Sequence, residues 1–180
     1  MQNKIIKPLF IFVLIVAMLI GFSIWKRPNL LVEKYYYYSG YFKQRGKKLT
    51  DAIEDYDKAI QLNKNYQTAY ISRGSAYMDL KKYKQAILDY TTAIQINPTN
   101  PEPYAYRGRG YYEINEINKS ILDFNNAIKL DEKFGYAYLN RALVRYTKLK
   151  DYAGGCADLK IASDLGESEA DDYFKEGICD

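Results

Sequence analysis

Histidine is absent from all 180 residues. With it go the commonest general base, the serine and cysteine triads built on imidazole, and most catalytic zinc sites. Cysteine occurs only as Cys156 and Cys179, and two thiols without histidine make half a metal-ligand set. No cysteine precedes Cys156, which excludes lipid attachment at a processed N-terminal cysteine. An excess of one charge is also missing beyond the first segment: Lys4, Lys7, Lys26 and Arg27 account for the formal net charge of +4, and the remaining 22 Lys and Arg balance 22 Asp and Glu. A basic nucleic-acid footprint is therefore not expected. Neither a catalytic residue, a cofactor nor a metal site is indicated, and the chain reads as a non-enzyme.

What is present in excess is tyrosine, 20 residues against 7 Phe and 1 Trp. With 48% apolar and 27% charged residues the composition is globular, and the length suits one domain with a short appendage. The appendage is visible at the start. Leu9 to Trp25 is an unbroken run of 17 residues in which only Gly21 and Ser23 are not strongly apolar. As a helix it would span roughly 25 Å, the short end of what crosses a bilayer core, and it has no polar face to suit a core helix. Residues 1–27 therefore read as a membrane anchor. A cleavable signal shares the basic start and apolar middle, and Gly21-Phe22-Ser23 would serve as its cleavage site; Trp25, Lys26 and Arg27 favour retention. A short N-terminus usually stays inside, so the remainder is expected on the exported side, or secreted or periplasmic after cleavage.

The rest of the chain repeats with a period of 34. Tyr36, Tyr70, Tyr104 and Tyr138 fall in one column and Gly40, Gly74, Gly108 and Ala142 in the next. Ala52, Ala86 and Ser120 follow, then Tyr56, Tyr90 and Phe124, then Ala59, Ala93 and Ala127. In the last copy Gly155, Leu159 and Ala162 take these columns one residue late, which places an insertion between Arg141 and Lys150. Recurrence at three and four residues within each half predicts two helices per unit. Small residues let the backbones approach, and large ones fill the space around them. Asn97-Pro98 and Gly46 are turn signals.

This column set resembles the tetratricopeptide repeat, most closely in Tyr70, Gly74, Tyr77, Ala86, Tyr90, Ala93 and Pro98. Departures are Lys43 and Arg145 where an aromatic is expected, Ser120 for alanine, and Lys64 and Glu132 for proline. The resemblance implies an all-α fold, a right-handed α-α superhelix of four helix pairs over 33–66, 67–100, 101–134 and 135–169. A capping helix at 168–178 is expected to shield the last pair, with Ser168 as its N-cap and Ala170, Tyr173, Phe174 and Ile178 on its packed face.

Two columns are charged, Asp55, Asp89, Asp123 and Asp158 facing Arg73, Arg107 and Arg141, with Ser39 in the first copy. Carboxylates in pairs can do acid/base work, but charges recurring once per unit point to a structural ladder. Pairing within a unit strands Asp55 and pairing between units strands Asp158, so both schemes stay open. Cys156 occupies the column of Ile53, Ile87 and Ile121, which fits a small buried apolar residue. If the repeats are exported, a bridge to Cys179 would pin the cap and close about 23 residues, worth roughly 3 kcal/mol; similar exported arrays carry such a glycine-cysteine turn and a cysteine-bearing tail.

The resemblance further implies a concave surface, formed by the first helix of each unit, that holds a peptide or a partner's helix. Carried onto this sequence it comprises Tyr37 and Tyr41, then Ile71 and Met78, then Arg109 and Tyr112, then Leu139, Leu143 and Tyr146. Such a floor, aromatic and aliphatic with few charges, suits an apolar or aromatic-rich segment. Family members that grip a C-terminal carboxylate use Lys and Asn where this chain has Tyr37, Tyr41 and Ser72. Tyr35 to Tyr38 point to every side of a helix, and lie within reach of lipid headgroups if residues 9–25 span a bilayer. The expected function is a protein-interaction scaffold tied to or exported across a membrane. The alternative is a self-associating structural array whose groove its own chain or a second copy fills.

Overall fold

Four residues in the left-handed region, Lys47, Lys81, Asn115 and Lys150, with φ of 59°, 57°, 62° and 58°, mark the bend inside each helix pair. They belong to a computed structural model that describes residues 30–179. Leu9 to Trp25, and with it the anchor or signal, lies outside the described residues. Among the described residues no helix is long and apolar enough to cross a membrane, and every element is helical.

The pairs are α1 (Leu30–Arg45) with α2 (Leu49–Leu62), α3 (Gln67–Asp79) with α4 (Tyr83–Ile96), α5 (Glu102–Glu113) with α6 (Ile117–Leu130), and α7 (Gly135–Val144) with α8 (Tyr152–Asp164). A ninth helix, α9 (Ser168–Lys175), packs on α8. Each second helix also packs on the first helix of the next pair. First helices of successive pairs touch one another, α1 with α3, α3 with α5 and α5 with α7, and no comparable packing joins successive second helices. The stack therefore curves with its first helices inside.

Pairing rests on a fit between absent and large side chains. A Cβ on Gly40 would lie 2.9 Å from the Tyr56 ring, one on Gly74 2.7 Å from Tyr90, and one on Gly108 3.0 Å from Phe124. Each ring occupies the space that glycine leaves, and Tyr56, Tyr90 and Phe124 are fully or almost fully buried. Ser120, standing in the alanine column, donates to the Gly108 carbonyl at 2.8 Å and so satisfies its hydroxyl. Between pairs, Asn63, Asn97 and Asp131 close each second helix by accepting from the backbone N–H two residues on, at 3.0, 3.2 and 2.9 Å. This turn is the same whether proline follows, as at Pro98, or Lys64 or Glu132 does.

The inserted residue of the fourth unit sits in a π-helical turn, Arg145–Leu149, that ends α7. Extra residues inside helices are commonly taken up this way, and here the bend moves to Lys150, 35 rather than 34 residues after Asn115. The cap departs from expectation in detail: its N-cap is Glu167, Ser168 is already helical, and the helix stops at Lys175 with Gly177 at a φ of 67° instead of running to 178. Ala170, Tyr173, Phe174 and Ile178 do pack on Tyr138, Leu139 and Leu159. Cys156 and Cys179 form a disulfide, Cα to Cα 5.4 Å.

Of the two schemes open for the charged columns, pairing within a unit is the observed one. Arg73 holds Asp89 through two nitrogens at 2.8 and 2.6 Å, Arg107 holds Asp123 at 2.7 and 2.9 Å, and Arg141 holds Asp158 at 2.8 and 2.7 Å. Nη1 of each Arg reaches back to the preceding pair, to Asp57, to Thr91 Oγ1 at 3.1 Å and to Asn125 Oδ1 at 2.6 Å. Asp55 is not stranded, because Lys43 and Ser39 donate to it at 2.6 and 2.5 Å. Lys43 departs from the aromatic column in the one unit that lacks the arginine. In the fourth unit Arg145, the other such departure, adds a second cation to Asp158 at 2.8 Å. Each arginine also lies over the tyrosine three residues before it, at 5.5 Å for Arg73 on Tyr70, 5.9 Å for Arg107 on Tyr104 and 5.4 Å for Arg141 on Tyr138.

Two outcomes follow from this packing. Gly74→Ala gains up to about 1 kcal/mol of helix propensity but forces the Tyr90 ring aside at about 1–3 kcal/mol, so denaturant melts should show a net loss of up to about 2 kcal/mol. Burial works against ionisation of Asp55, yet hydrogen bonds from Lys43 and Ser39 and the nearby lysine charges outweigh it and hold its pKa below the ordinary 3.8. Its stabilisation is then complete above 3.8 and lost as pH falls through the lower folded value. Asp55→Asn should be less stable than the parent chain at pH 7, with the gap closing below pH 3.8 in melts run across that range.

Candidate functional site

Two adjoining hollows lie along the inner face. One, of about 300 Å³, is bounded by Tyr41, Gln44, Arg45, Ile71, Ser72, Ser75 and Tyr106. The next, of about 420 Å³, is bounded by Ser75, Met78, Asp79, Lys81, Tyr83, Tyr90, Tyr106, Arg109, Glu113 and Tyr136. Ser75 and Tyr106 are common to both, so the two form one groove running from α1 to α7. A smaller recess of about 50 Å³ beside Tyr112, Asn140 and Leu143 continues it.

Tyr106 is the centre of this surface. Its ring lies 5.8 Å from Tyr90 and, edge to face, 5.4 Å from Tyr136, which locks three aromatic side chains from three helices. Burial, with help from Glu102 and Tyr136, pushes its phenol up to about 12, and burial raises Tyr90 and Tyr136 as well. These phenols stay protonated at neutral pH and act as neutral hydrogen-bonding groups. Around them Gln44 donates to Ser75 Oγ and to Asp79 Oδ2, each at 3.3 Å, and accepts from Tyr56 Oη at 2.9 Å. Arg109 faces Glu113 at 3.6 Å and donates to Asn140 Oδ1 at 3.3 Å. The groove thus offers ring faces, phenols and both signs of charge, with no activated nucleophile. Among the described residues no three potential metal ligands come together.

Several residues assigned to the groove from sequence stand elsewhere. Leu139 is 4% exposed and belongs to the core cluster that includes Ala162 and Ala170 of the cap, whereas Ile71, though 8% exposed, does border the first hollow. Tyr37 lies between Tyr56 and Tyr66, at 6.0 and 5.3 Å, inside the contact of the first two pairs. Tyr146, in the π-turn, packs on Tyr152 at 4.8 Å. Tyr112 and Leu143 line only the small recess, Tyr112 beneath Lys148 at 5.5 Å. Tyr41, Met78 and Arg109 do line the groove. The expected aromatic and aliphatic floor is corrected too, since four of the ten residues around the larger hollow are charged. The residue missed was Tyr106, with the Ser72 column to which it belongs. Ile71, Ala105 and Leu139 are all buried, and the groove begins one residue later, about 100° around each first helix. The signal was available in the mixed polarity of Ser72, Tyr106 and Asn140 beside the uniformly apolar column before it.

Leu139→Ala should therefore lower unfolding free energy by about 2–5 kcal/mol in denaturant titration. Arg109→Ala, on the exposed groove rim, should stay within about 0.5 kcal/mol of the parent chain.

Comparison with known proteins agrees with this architecture. Residues 68–100 match the model of the tetratricopeptide repeat and residues 41–81 that of the TPR repeat. No curated protein matches the chain in sequence. Among solved structures, the Arabidopsis OM64 TPR domain is similar at 26% identity and a TM-score of 0.64, covering 66% of this chain and 98% of that one. MamA from Desulfovibrio magneticus RS-1, residues 41 to the end, is similar at 19% identity and 0.67, covering 76% of each. The first TPR of Spaghetti (RPAP3), bound to the HSP90 peptide SRMEEVD, is similar at 20% identity and 0.62, covering 63% and 90%. The described residues fold as an α-α superhelix like those of solved tetratricopeptide domains, and residues 41–100 match the repeat in sequence.

Proposed function

We propose that the inner face of this solenoid binds an extended or helical segment of another protein, and that the chain does so at or beyond a membrane to which Leu9–Trp25 directs it. The groove shared by the two hollows carries this reading, because it is long enough for several residues and lined by groups that recognise polypeptide rather than transform it. A solved tetratricopeptide domain of similar fold is bound to a peptide. The carboxylate grip of some family members does not suit this chain, whose corresponding positions are Tyr37, Tyr41 and Ser72. The favoured segment places an apolar or aromatic side chain between Tyr41, Ile71 and Tyr106, and polar or charged neighbours over Asp79, Arg109 and Glu113. Export agrees with the Cys156–Cys179 bridge, since disulfides persist in oxidising compartments. Chemistry by the chain itself has no support in the site.

A photo-crosslinking residue at Tyr41 or at Ser75 in the full chain should join one distinct polypeptide in cells, and the same probe at Leu122, on the outer side, should not. Arg109→Glu should reduce that adduct by about tenfold, equivalent to roughly 1.4 kcal/mol, without changing the melting temperature. Adducts only with a second copy would replace partner binding by self-association; none at either groove position would end the proposal.

A further inference from the structure

Among the described residues nothing packs on the outer side of α1. On α1, Leu31, Tyr35, Tyr38 and Phe42 are 58%, 67%, 55% and 67% exposed and follow one another by four, three and four residues, so they form a single stripe along the helix, with Tyr38, in the column of Ser72 and Tyr106, on its groove-side edge. The opposite side of α1 supplies Tyr36, Tyr37 and Gly40 to the core. In later pairs the columns of Tyr35 and Phe42 meet the preceding repeat, and they hold small or compact residues: Ala69, Pro103 and Ala137 in one, Ala76, Gly110 and Val144 in the other, all buried. The first helix replaces these with two large aromatic rings. A further repeat, or a second copy stacked as one, could not bring its backbone close. A terminal repeat ordinarily needs a polar outer face, and this one is apolar. The only acid of α1, Glu33, is buried and accepts from Asn63 at 3.3 Å, while Lys34 and Arg45 lie along the Tyr41 side of the stripe, where Arg45 also borders the first hollow.

We propose that this stripe lies flat on an anionic phospholipid surface, with the Tyr35 and Tyr38 rings at headgroup level, Leu31 and Phe42 directed into the acyl boundary, and Lys34 and Arg45 paired with headgroup phosphates. The inference rests on the proposed anchoring by Leu9–Trp25. Four residues separate that run from α1, a reach of under about 20 Å, so α1 begins within contact of the bilayer that the run enters. Amphipathic rings with cations at their side are what such an interface favours. The end of the solenoid is thereby covered by lipid in place of protein, and the groove, which begins at Tyr41 beside the stripe, opens close to the membrane surface.

The test uses the full chain in vesicles of phosphatidylcholine with phosphatidylglycerol as the anionic lipid. Because the native thiols are bridged, Tyr38→Cys offers one site for an environment-sensitive fluorophore, and Leu122→Cys, on α6, gives the comparison. A nitroxide on the lipid headgroup should quench the label at 38 at least about twofold more than that at 122, as expected for a helix seated about 5–10 Å into the interface. Flotation with the vesicles, read in the same samples, reports anchoring by itself. Equal quenching in chains that float would overturn the stripe while leaving the anchor standing; chains that do not float would remove the anchor and this inference with it. A label at 38 shielded equally in detergent, with a dimer in sedimentation, would assign the stripe to a second copy and overturn the lipid assignment.

Discussion

The close approach of two helix backbones across a missing Cβ is the contact from which this molecule is assembled. Gly40, Gly74 and Gly108 let the rings of Tyr56, Tyr90 and Phe124 fill the space between paired helices. The fourth pair satisfies the same volume with the sizes exchanged. Its first helix carries Ala142, its second carries Gly155, and Leu159 stands where the others have a ring; a Cβ on Gly155 would meet the Ala142 carbonyl at 3.3 Å. Close approach is thus kept in all four pairs while its ingredients change. Interiors pack to the density of organic crystals, so a change of side-chain size at one of these positions has to be matched by its partner, as Ala142, Gly155 and Leu159 match one another.

Charge supplies register on top of packing. Each arginine grips the aspartate of its own pair with two nitrogens and sends another to the pair before. Buried ion pairs are weak evidence of net stabilisation, because desolvation opposes the attraction; fixing alignment between successive units is the role this geometry supports. Among the described residues no buried side-chain nitrogen or oxygen lacks a partner. The first pair shows how closely the arrangement is kept: Ser39 reaches Asp55 but carries no charge, and Lys43, one turn later, brings the charge that arginine supplies elsewhere.

The stack was legible in the sequence because its contacts recur. A column such as Tyr36, Tyr70, Tyr104 and Tyr138 samples one environment four times, so a single exception does not hide it, and the displaced Gly155, Leu159 and Ala162 located an insertion that the backbone absorbs at Arg145–Leu149. The disulfide partners were legible only as two open possibilities. The groove was read less well, for a physical reason. A helix turns about 100° per residue, so assigning Leu139 to the inner surface puts a core side chain there, and reading Ile71 without Ser72 and Tyr106 leaves out the side chains beside it in the same hollow. Repetition could not correct this, since it reports that positions are equivalent, not which way they point. The direction of Arg–Asp pairing escaped for a similar reason: both schemes left one unmatched aspartate until Lys43 was seen beside Asp55.

The bridge between Cys156 and Cys179 gives the stack a polarity. Units in a linear array are held only by their neighbours, so order is lost from an end inward. The covalent tie fastens α9 to α8 and raises the free energy needed to peel that terminus away. Among the described residues no such tie holds α1 to α2, and α1 is also the helix with aromatic rings turned outward. Whatever grips that helix would govern how long every unit behind it stays folded, and the two ends together would act like a zipper with one stop already sewn.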